Sequence, residues 1–273
     1  MSNKPREYAH GGSVEETIRL EVQAKAFGKT IERELEVLGL KPNMKVLDAG
    51  CGTGAVTRKM ASKVLPAEAC GVDIDPLFID KARKTALDEG IKNIRFELGN
   101  IDNLTYDSGF FDLAYCRLVL MHVTNPVRTI AELKRVTKKG GIVAASDTDD
   151  GTMLTYPPAR RFFDLWSKFG ERAKARGDDR YIGRRLYSIF SEAGLSSVRI
   201  YPFPAFATQQ NPDVLRMLVS VPVQIVDQDK DAMIKEGMIT ATDYEEAMME
   251  VKLALNHPGA FALGTTFLAL GEC

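Results

Sequence analysis

The chain has 273 residues, 45% of them hydrophobic, and its 36 basic residues nearly cancel 37 acidic ones to leave a formal net charge of -1. That much apolar material supports one large core, or a domain with a subdomain. The charge balance gives no electrostatic reason for a nucleic-acid or anionic-membrane partner, and no apolar run reaches the ~20 residues that span a bilayer.

In chain order, the N-terminal MSNKPREYAHGG is polar and lacks the apolar core of a secretion signal. Residues 13–40 have helical patterning, with Phe27, Ile31, Leu35 and Leu38 on one face and Gly28 as the point where the helix divides. The segment 39–43, with Pro42, closes it. Strands and helices then alternate. Residues 45–48 predict a short apolar strand, followed by a helix with Val56, Met60 and Val64 inward. Residues 69–73 predict a second strand, and Pro76 suits the first turn of the next helix. A third strand is expected over 94–98 and a fourth over 111–116. A helix with Ile130, Leu133 and Val136 inward ends at Gly140-Gly141, and residues 142–146 form a fifth strand.

Beyond Asp150 the rhythm changes. Residues 155–195 read as helical, with an aromatic-rich stretch of Phe162, Phe163, Trp166 and Phe169. A strand is expected over 198–203, helices over 210–256 with Thr242 and Glu245 as a capping box, and a last strand over 267–270. The helical insert before that strand exceeds what a connection needs, which makes it a candidate cap over a site. Its Met233, Met238, Met248 and Met249, with the aromatic stretch, read either as plain core or as the lining of an apolar acceptor chamber.

The four cysteines, Cys51, Cys70, Cys116 and Cys273, lack metal-site spacing and read as small buried apolar residues in a reduced, cytoplasmic chain. The expected organisation is a helical arm over 1–43, a core over 44–150, and a completion of the same domain with cap inserts over 151–273. No repeat and no signal for oligomeric state is present.

Strand–helix alternation implies a mostly parallel sheet with helices on both faces. Ligands of such sheets bind at the carboxyl ends of the strands. The stretch VLDAGCGTG, residues 46–54, places Gly50, Gly52 and Gly54 just after the first strand. Glycine there permits positive φ or a close backbone approach, and the N–H groups of the following helix favour electronegative ligand atoms. Two ligand readings fit. Gly50, Gly52 and Ala55 satisfy a dinucleotide pattern, whereas Asp48 followed by Gly-x-Gly-x-Gly suits an S-adenosylmethionine site. Asp73, at the end of the second strand, can accept both ribose hydroxyls of either ligand. The turn LGNIDNL, residues 98–104, follows the third strand.

Together these motifs resemble the class I S-adenosylmethionine-dependent methyltransferases, of the small-molecule type. VLDAGCGTG is similar to the family's first motif, GVDIDP (71–76) to its ribose acid and LGNIDNL to its adenine turn. FDLAYCRLVLMHVTNP (111–126) is similar to its fourth-strand motif, and AELKRVTKKGGIVAASD (131–147) to its helix–Gly-Gly–strand unit. The resemblance covers about residues 44–147. It implies a Rossmann-like α/β fold with a seven-stranded, mostly parallel sheet, and S-adenosylmethionine as cofactor. The residues it assigns to that cofactor are Asp48, Ala49, Gly50, Cys51, Gly52, Gly54, Asp73, Ile74, Asn100, Ile101, Asp102, Cys116 and Arg117. The methyl acceptor is a small molecule with an O, N, S or C nucleophile. Two positions depart from the family. Asn100 replaces the usual aspartate of the adenine turn, weakening one hydrogen bond by about 1 kcal/mol, and Lys139 replaces a proline. The arm, with Tyr8, His10, Gly11, Gly12, Glu16, Arg19, Leu20 and Gln23, resembles a subset in which it lies over the cofactor. Tyr8, Arg19 and Gln23 are the candidate contacts, against the reading of a solvated helix face.

A general base is needed only where the nucleophile must lose a proton. His122 is the first candidate because imidazole titrates near neutral pH, with an orienting or helix-capping role as the alternative. Asp147, Asp149 and Asp150 follow the fifth strand as further bases or amine ligands, or as a helix-entry loop. Cys116-Arg117 is a poor place for a hard cation, so no metal is expected. Cys116 has no activating base nearby in sequence and reads as packing, with its carbonyl toward the methionine ammonium. An NAD(P)-linked oxidoreductase and a non-catalytic cofactor-binding protein remain as alternatives.

Overall fold

The computed structural model describes residues 13–273. The arm forms α1 (Val14–Ala26) and α2 (Gly28–Leu38), which part at Phe27 as the Gly28 break predicts. Ser13 caps α1 by accepting from Glu16 N–H, and Gly39 ends α2 in the left-handed conformation (φ 65°). Then follow β1 (Val46–Ala49), α3 (Ala55–Val64), β2 (Ala69–Asp73), α4 (Pro76–Asp88), β3 (Ile94–Leu98), β4 (Phe111–Arg117), α5 (Pro126–Val136) and β5 (Thr137–Thr148). The second half comprises β6 (Leu154–Tyr156), α6 (Arg160–Ala175), α7 (Leu186–Glu192), β7 (Ser196–Thr208), α8 (Pro212–Lys235), α9 (Ala241–Asn256) and β8 (Phe261–Glu272).

The sheet runs β3-β2-β1-β4-β5-β8, parallel through β5, with β8 antiparallel to β5 and β7 antiparallel to β8. These are the seven strands the resemblance implies. The eighth, β6, is short and lies inside the segment expected to be helical. It pairs with Phe261–Leu263 of β8, beyond the stretch that β5 covers. The fifth strand also starts earlier than expected, because α5 stops at Val136 and not at the glycine pair. The outer strands β7 and β8, at 13 and 12 residues, are about two and three times the expected length, since each offers the other a long antiparallel ladder. Finally, α9 is capped two residues before the expected place. Thr240 and Asp243, not Thr242 and Glu245, exchange the capping-box bonds.

Side chains alternate across the central strands. Val46, Leu113, Tyr115 and Ala144 pack on one face against Ile31, Leu35 and Leu38 of α2 and Met60 and Val64 of α3. Leu47, Ala114, Cys116 and Val143 pack on the other against Ile130 and Leu133 of α5 and Ile189 and Phe190 of α7. A third cluster joins α6, α8 and α9 through Phe162, Leu165, Phe169, Val226, Met233 and Val251. The aromatic stretch is therefore mainly the core of the cap.

Two buried carboxylates fix what lies above the sheet. Glu34 of α2 is fully buried and accepts from Tyr115 Oη (2.8 Å), Arg117 Nε (2.9 Å), Ser146 Oγ (2.8 Å) and Thr266 Oγ1 (3.1 Å). It ties the arm to β4, β5 and β8 at once. Asp147, equally buried, accepts from Leu120 N–H at 3.0 Å and so holds the single 3-10 turn Leu120–His122 that follows β4. Burial pushes the Asp147 carboxyl up from 3.8 to about 7, against the pull of the Leu120 N–H and of Arg117.

Both groups make predictions. Glu34→Ala leaves the Arg117 guanidinium buried without its partner, so chemical denaturation is expected to show a loss of about 3–5 kcal/mol. The Asp147 carboxyl binds its proton more tightly folded than unfolded. Its contribution is therefore present at low pH and lost as pH rises between about 4 and about 7, at up to ~1.4 kcal/mol per unit. Asp147→Asn should gain on the wild type across that window; parallel stability curves would rule the account out.

Candidate active site

Strand ends from β1 to β5, the arm and the cap enclose one cavity of about 1170 Å³. Its floor is the glycine turn. Gly50, Gly52 and Gly54 all have positive φ, at 76°, 51° and 77°. They differ in what surrounds them. A Cβ on Gly50 would lie 2.5 Å from Val119 Cγ2, and one on Gly54 2.5 Å from Phe96 Cζ, so those two are closed in by protein. A Cβ on Gly52 would meet only Leu20 Cδ1 of α1, at 3.6 Å, and Gly52 lines the cavity. Gly52 is thus the glycine of the three with room above it on the cavity side.

The turn is pinned from both sides. Gly50 and Cys51 donate their N–H groups to the Val72 carbonyl, at 2.7 and 3.0 Å. Gly52 N–H donates to Asp73 Oδ2 at 2.8 Å, and Asp75 N–H to Asp73 Oδ1 at 3.0 Å. The Asp73 carboxylate keeps acceptor capacity at the tip of β2, on the cavity wall. Burial raises its proton affinity, and the N–H bonds work against that. Asp48 accepts from Thr57 Oγ1 at 2.6 Å, which locks β1 to α3. Burial pushes its carboxyl up to about 6, opposed by the Thr57 hydroxyl and reinforced by the Asp73 charge.

On the third-strand turn, Asn100 Oδ1 accepts from Asp102 N–H at 2.9 Å, and the Asp102 carboxylate accepts from Thr129 Oγ1 of α5. Asn100, Ile101 and Asp102 all line the cavity, as does Ile74. Arg117 lines it too. Its Nε is held by Glu34, and its Nη2 is buried with no hydrogen-bond partner among the described residues. The roof is α1. Arg19 forms a two-pronged pair with Glu16 (2.7 and 2.5 Å) and donates to Gln23 Oε1 at 2.6 Å, while Gln228 of α8 also donates to Glu16. Arg19 and Gln23 both line the cavity, so the charged face of α1 is not merely solvated.

His122 reaches the cavity wall, with Nδ1 3.3 Å from Oδ1 of the buried Asp178. With its proton on Nδ1 the ring donates to that carboxylate, and Nε2 is then the basic nitrogen. The acids after β5 are otherwise engaged. Asp149 is gripped by two nitrogens of Arg184 and Asp150 by two of Arg180. Arg180 in turn lies over the Trp166 ring, 5.0 Å from its centroid, which fixes the cap to the site.

Of the residues expected at the site, the cavity unites Arg19, Gln23, Asp48, Gly50, Cys51, Gly52, Asp73, Ile74, Asn100, Ile101, Asp102, Arg117 and His122. Ala49, Gly54, Cys116 and Asp147 stand behind that wall and support it. Tyr8, with His10, Gly11 and Gly12, lies outside the described residues. Glu34, Asp178 and Arg180 went unnoticed in the sequence. Each is a lone charged residue whose partners are far along the chain.

A family model described as a methyltransferase domain matches residues 40–194. An uncharacterised methyltransferase of Schizosaccharomyces pombe is 33% identical over 153 residues, covering 54% of this chain and 55% of the relative. The chain spans about half the length of the first such relatives. A crystal structure of a putative methyltransferase from Bacillus halodurans superposes with a TM-score of 0.60 at 17% identity, over 89% of this chain and 97% of the other. Phosphoethanolamine N-methyltransferase 2 of Haemonchus contortus, solved with S-adenosylhomocysteine, also reaches 0.60 at 16% identity, over 94% of this chain and 58% of that one. The chain belongs to the methyltransferase-domain family, as a class I S-adenosylmethionine-dependent methyltransferase on a Rossmann-like sheet.

Proposed function

We propose that the chain methylates a small molecule inside the cavity, with His122 as general base. One observation carries this reading: a cofactor cradle and an oriented imidazole share a single cavity. That space, about 1170 Å³, exceeds the ~300–1,000 Å³ usual for one small ligand, which supports two molecules side by side.

The residues present fit S-adenosylmethionine. Gly52 leaves room at the turn, the Asp73 carboxylate is offered to a diol, and the unpartnered Arg117 Nη2 suits a carboxylate. Asn100 offers its amide to the adenine edge, and Arg19 and Gln23 close the roof. When bound, this cofactor supplies a methyl group made electrophilic by its sulfonium. The chain's own part is positioning, exclusion of water and proton removal. Burying two reactants in fixed relative orientation lowers the barrier by several kcal/mol. His122 Nε2 accepts the acceptor's proton, and Asp178 keeps the ring in the tautomer that can do so.

Calorimetry should find micromolar-range binding of S-adenosylmethionine and none of NAD(P)H; the reverse would sink the reading. Asp73→Ala is expected to weaken cofactor binding roughly 10- to 150-fold, the loss of a charged hydrogen-bonding partner. With an acceptor whose nucleophile carries a proton, His122→Ala should lower kcat by ~10²–10⁴ with cofactor affinity unchanged. Asp178→Asn should lower kcat less, and Asp178→Glu should recover part of the loss. Unchanged kcat in His122→Ala would leave His122 a purely orienting residue.

A further inference from the structure

A second chamber of about 100 Å³ lies beside the main cavity, between β6, the start of β8 and helices α6, α8 and α9. Its wall is apolar, with Phe162, Leu215, Leu218, Leu255 and Phe261. Thr155 also lines it, and its hydroxyl oxygen accepts from Ala159 N–H at 3.1 Å. The contrast with the main cavity, whose wall carries Arg19, Asp73, Arg117 and His122, is one of chemistry, not only of size.

The two spaces adjoin. Met153, Pro222 and Gly264 line both. Gly264 answers no backbone need: it lies outside the left-handed region, and a Cβ placed on it meets nothing within 4 Å. Its effect is to leave the boundary between the spaces open. Pro222, inside α8, has no N–H and so presents a purely apolar ring to that boundary. At the outer end Leu154 and Tyr156 line the chamber while 59% and 56% exposed. The apolar chamber thus lies between the site and an apolar rim on the surface.

We propose that this chamber takes the hydrocarbon tail of the methyl acceptor, whose polar head occupies the main cavity beside His122. The acceptor is accordingly an amphiphile, a nucleophilic head carrying an alkyl or branched aliphatic chain. This rests on the methyltransferase reading. At ~30 Å³ per water-sized group, the chamber holds about three or four methylenes. A longer tail continues out between Leu154 and Tyr156.

The test uses phenol, 4-ethylphenol, 4-propylphenol and 4-pentylphenol, titrated into the protein saturated with S-adenosylhomocysteine. Affinity is expected to rise about fourfold for each methylene added, up to about four. Gly264→Val closes the boundary, and Ala254→Phe fills the chamber from α9. Each should flatten the dependence on chain length while leaving phenol and S-adenosylhomocysteine affinities as in the wild type. The latter affinity certifies that a variant is folded. No chain-length dependence in the wild type, or the same dependence in the wild type and a folded variant, overturns the proposal. Failure of S-adenosylhomocysteine to bind would instead overturn the methyltransferase reading.

Discussion

The Glu34 carboxylate, buried beneath the cavity, accepts from four side chains on three strands. Its charge is matched by Arg117, whose own burial makes the pairing mutual: neither group is tolerable in the interior without the other. This pair decides where the arm sits. With Ile31, Leu35 and Leu38 alone, α2 would have apolar adhesion to the sheet but no fixed register, because hydrophobic contact is non-directional. Four hydrogen bonds supply direction. α1 then follows across Phe27, whose ring lies 5.8 Å from the Arg117 guanidinium, and carries Arg19 and Gln23 over the strand ends.

The same pair reaches into the chemistry. Glu34 engages Arg117 through Nε, and Nη2 is left buried with no hydrogen-bond partner among the described residues. A planar fork held on one side is oriented on the other. The glycine turn works on the same logic. Val72 and Asp73 fix its N–H groups, Val119 and Phe96 exclude side chains from Gly50 and Gly54, and of the three only Gly52 has room for a Cβ. The cavity floor is therefore set before any ligand arrives, and preorganisation of this kind reduces the ordering cost of binding.

Much of this was legible in the sequence because it is local. The alternation of strands and helices over residues 45–146 and the split at Gly28 follow from period and turn chemistry within short windows, and the stations at Asp48, Gly52, Asp73 and Asn100 were legible through short motifs that resemble the family's. What escaped is non-local. Glu34 lies 83 residues from Arg117, and Asp178 lies 56 from His122, so no window joins either pair. The short β6 escaped because three residues carry no period, and only β8 gives them a partner. The capping box of α9 was misplaced by two residues because Thr242–Glu245 and Thr240–Asp243 offer the same chemistry; Gly237, in the left-handed conformation, ends the turn that puts Thr240 first.

The division between a local, recognisable core and a non-local cap has a physical consequence for specificity. The glycine turn, Asp73 and the Asn100 turn stand at strand ends, whose positions the sheet hydrogen bonds enforce. The cap-side wall, from α6 and α8, is held by side-chain packing and by Arg180, which joins Asp150 to the Trp166 ring. Packing tolerates substitution if volume is kept, whereas a hydrogen-bonded turn does not. Chains of this family can therefore change the acceptor by exchanging apolar residues in the cap while the floor stays intact. In this chain Gly264 lies bare where the main cavity and the apolar chamber meet, a position that a bulky side chain would fill.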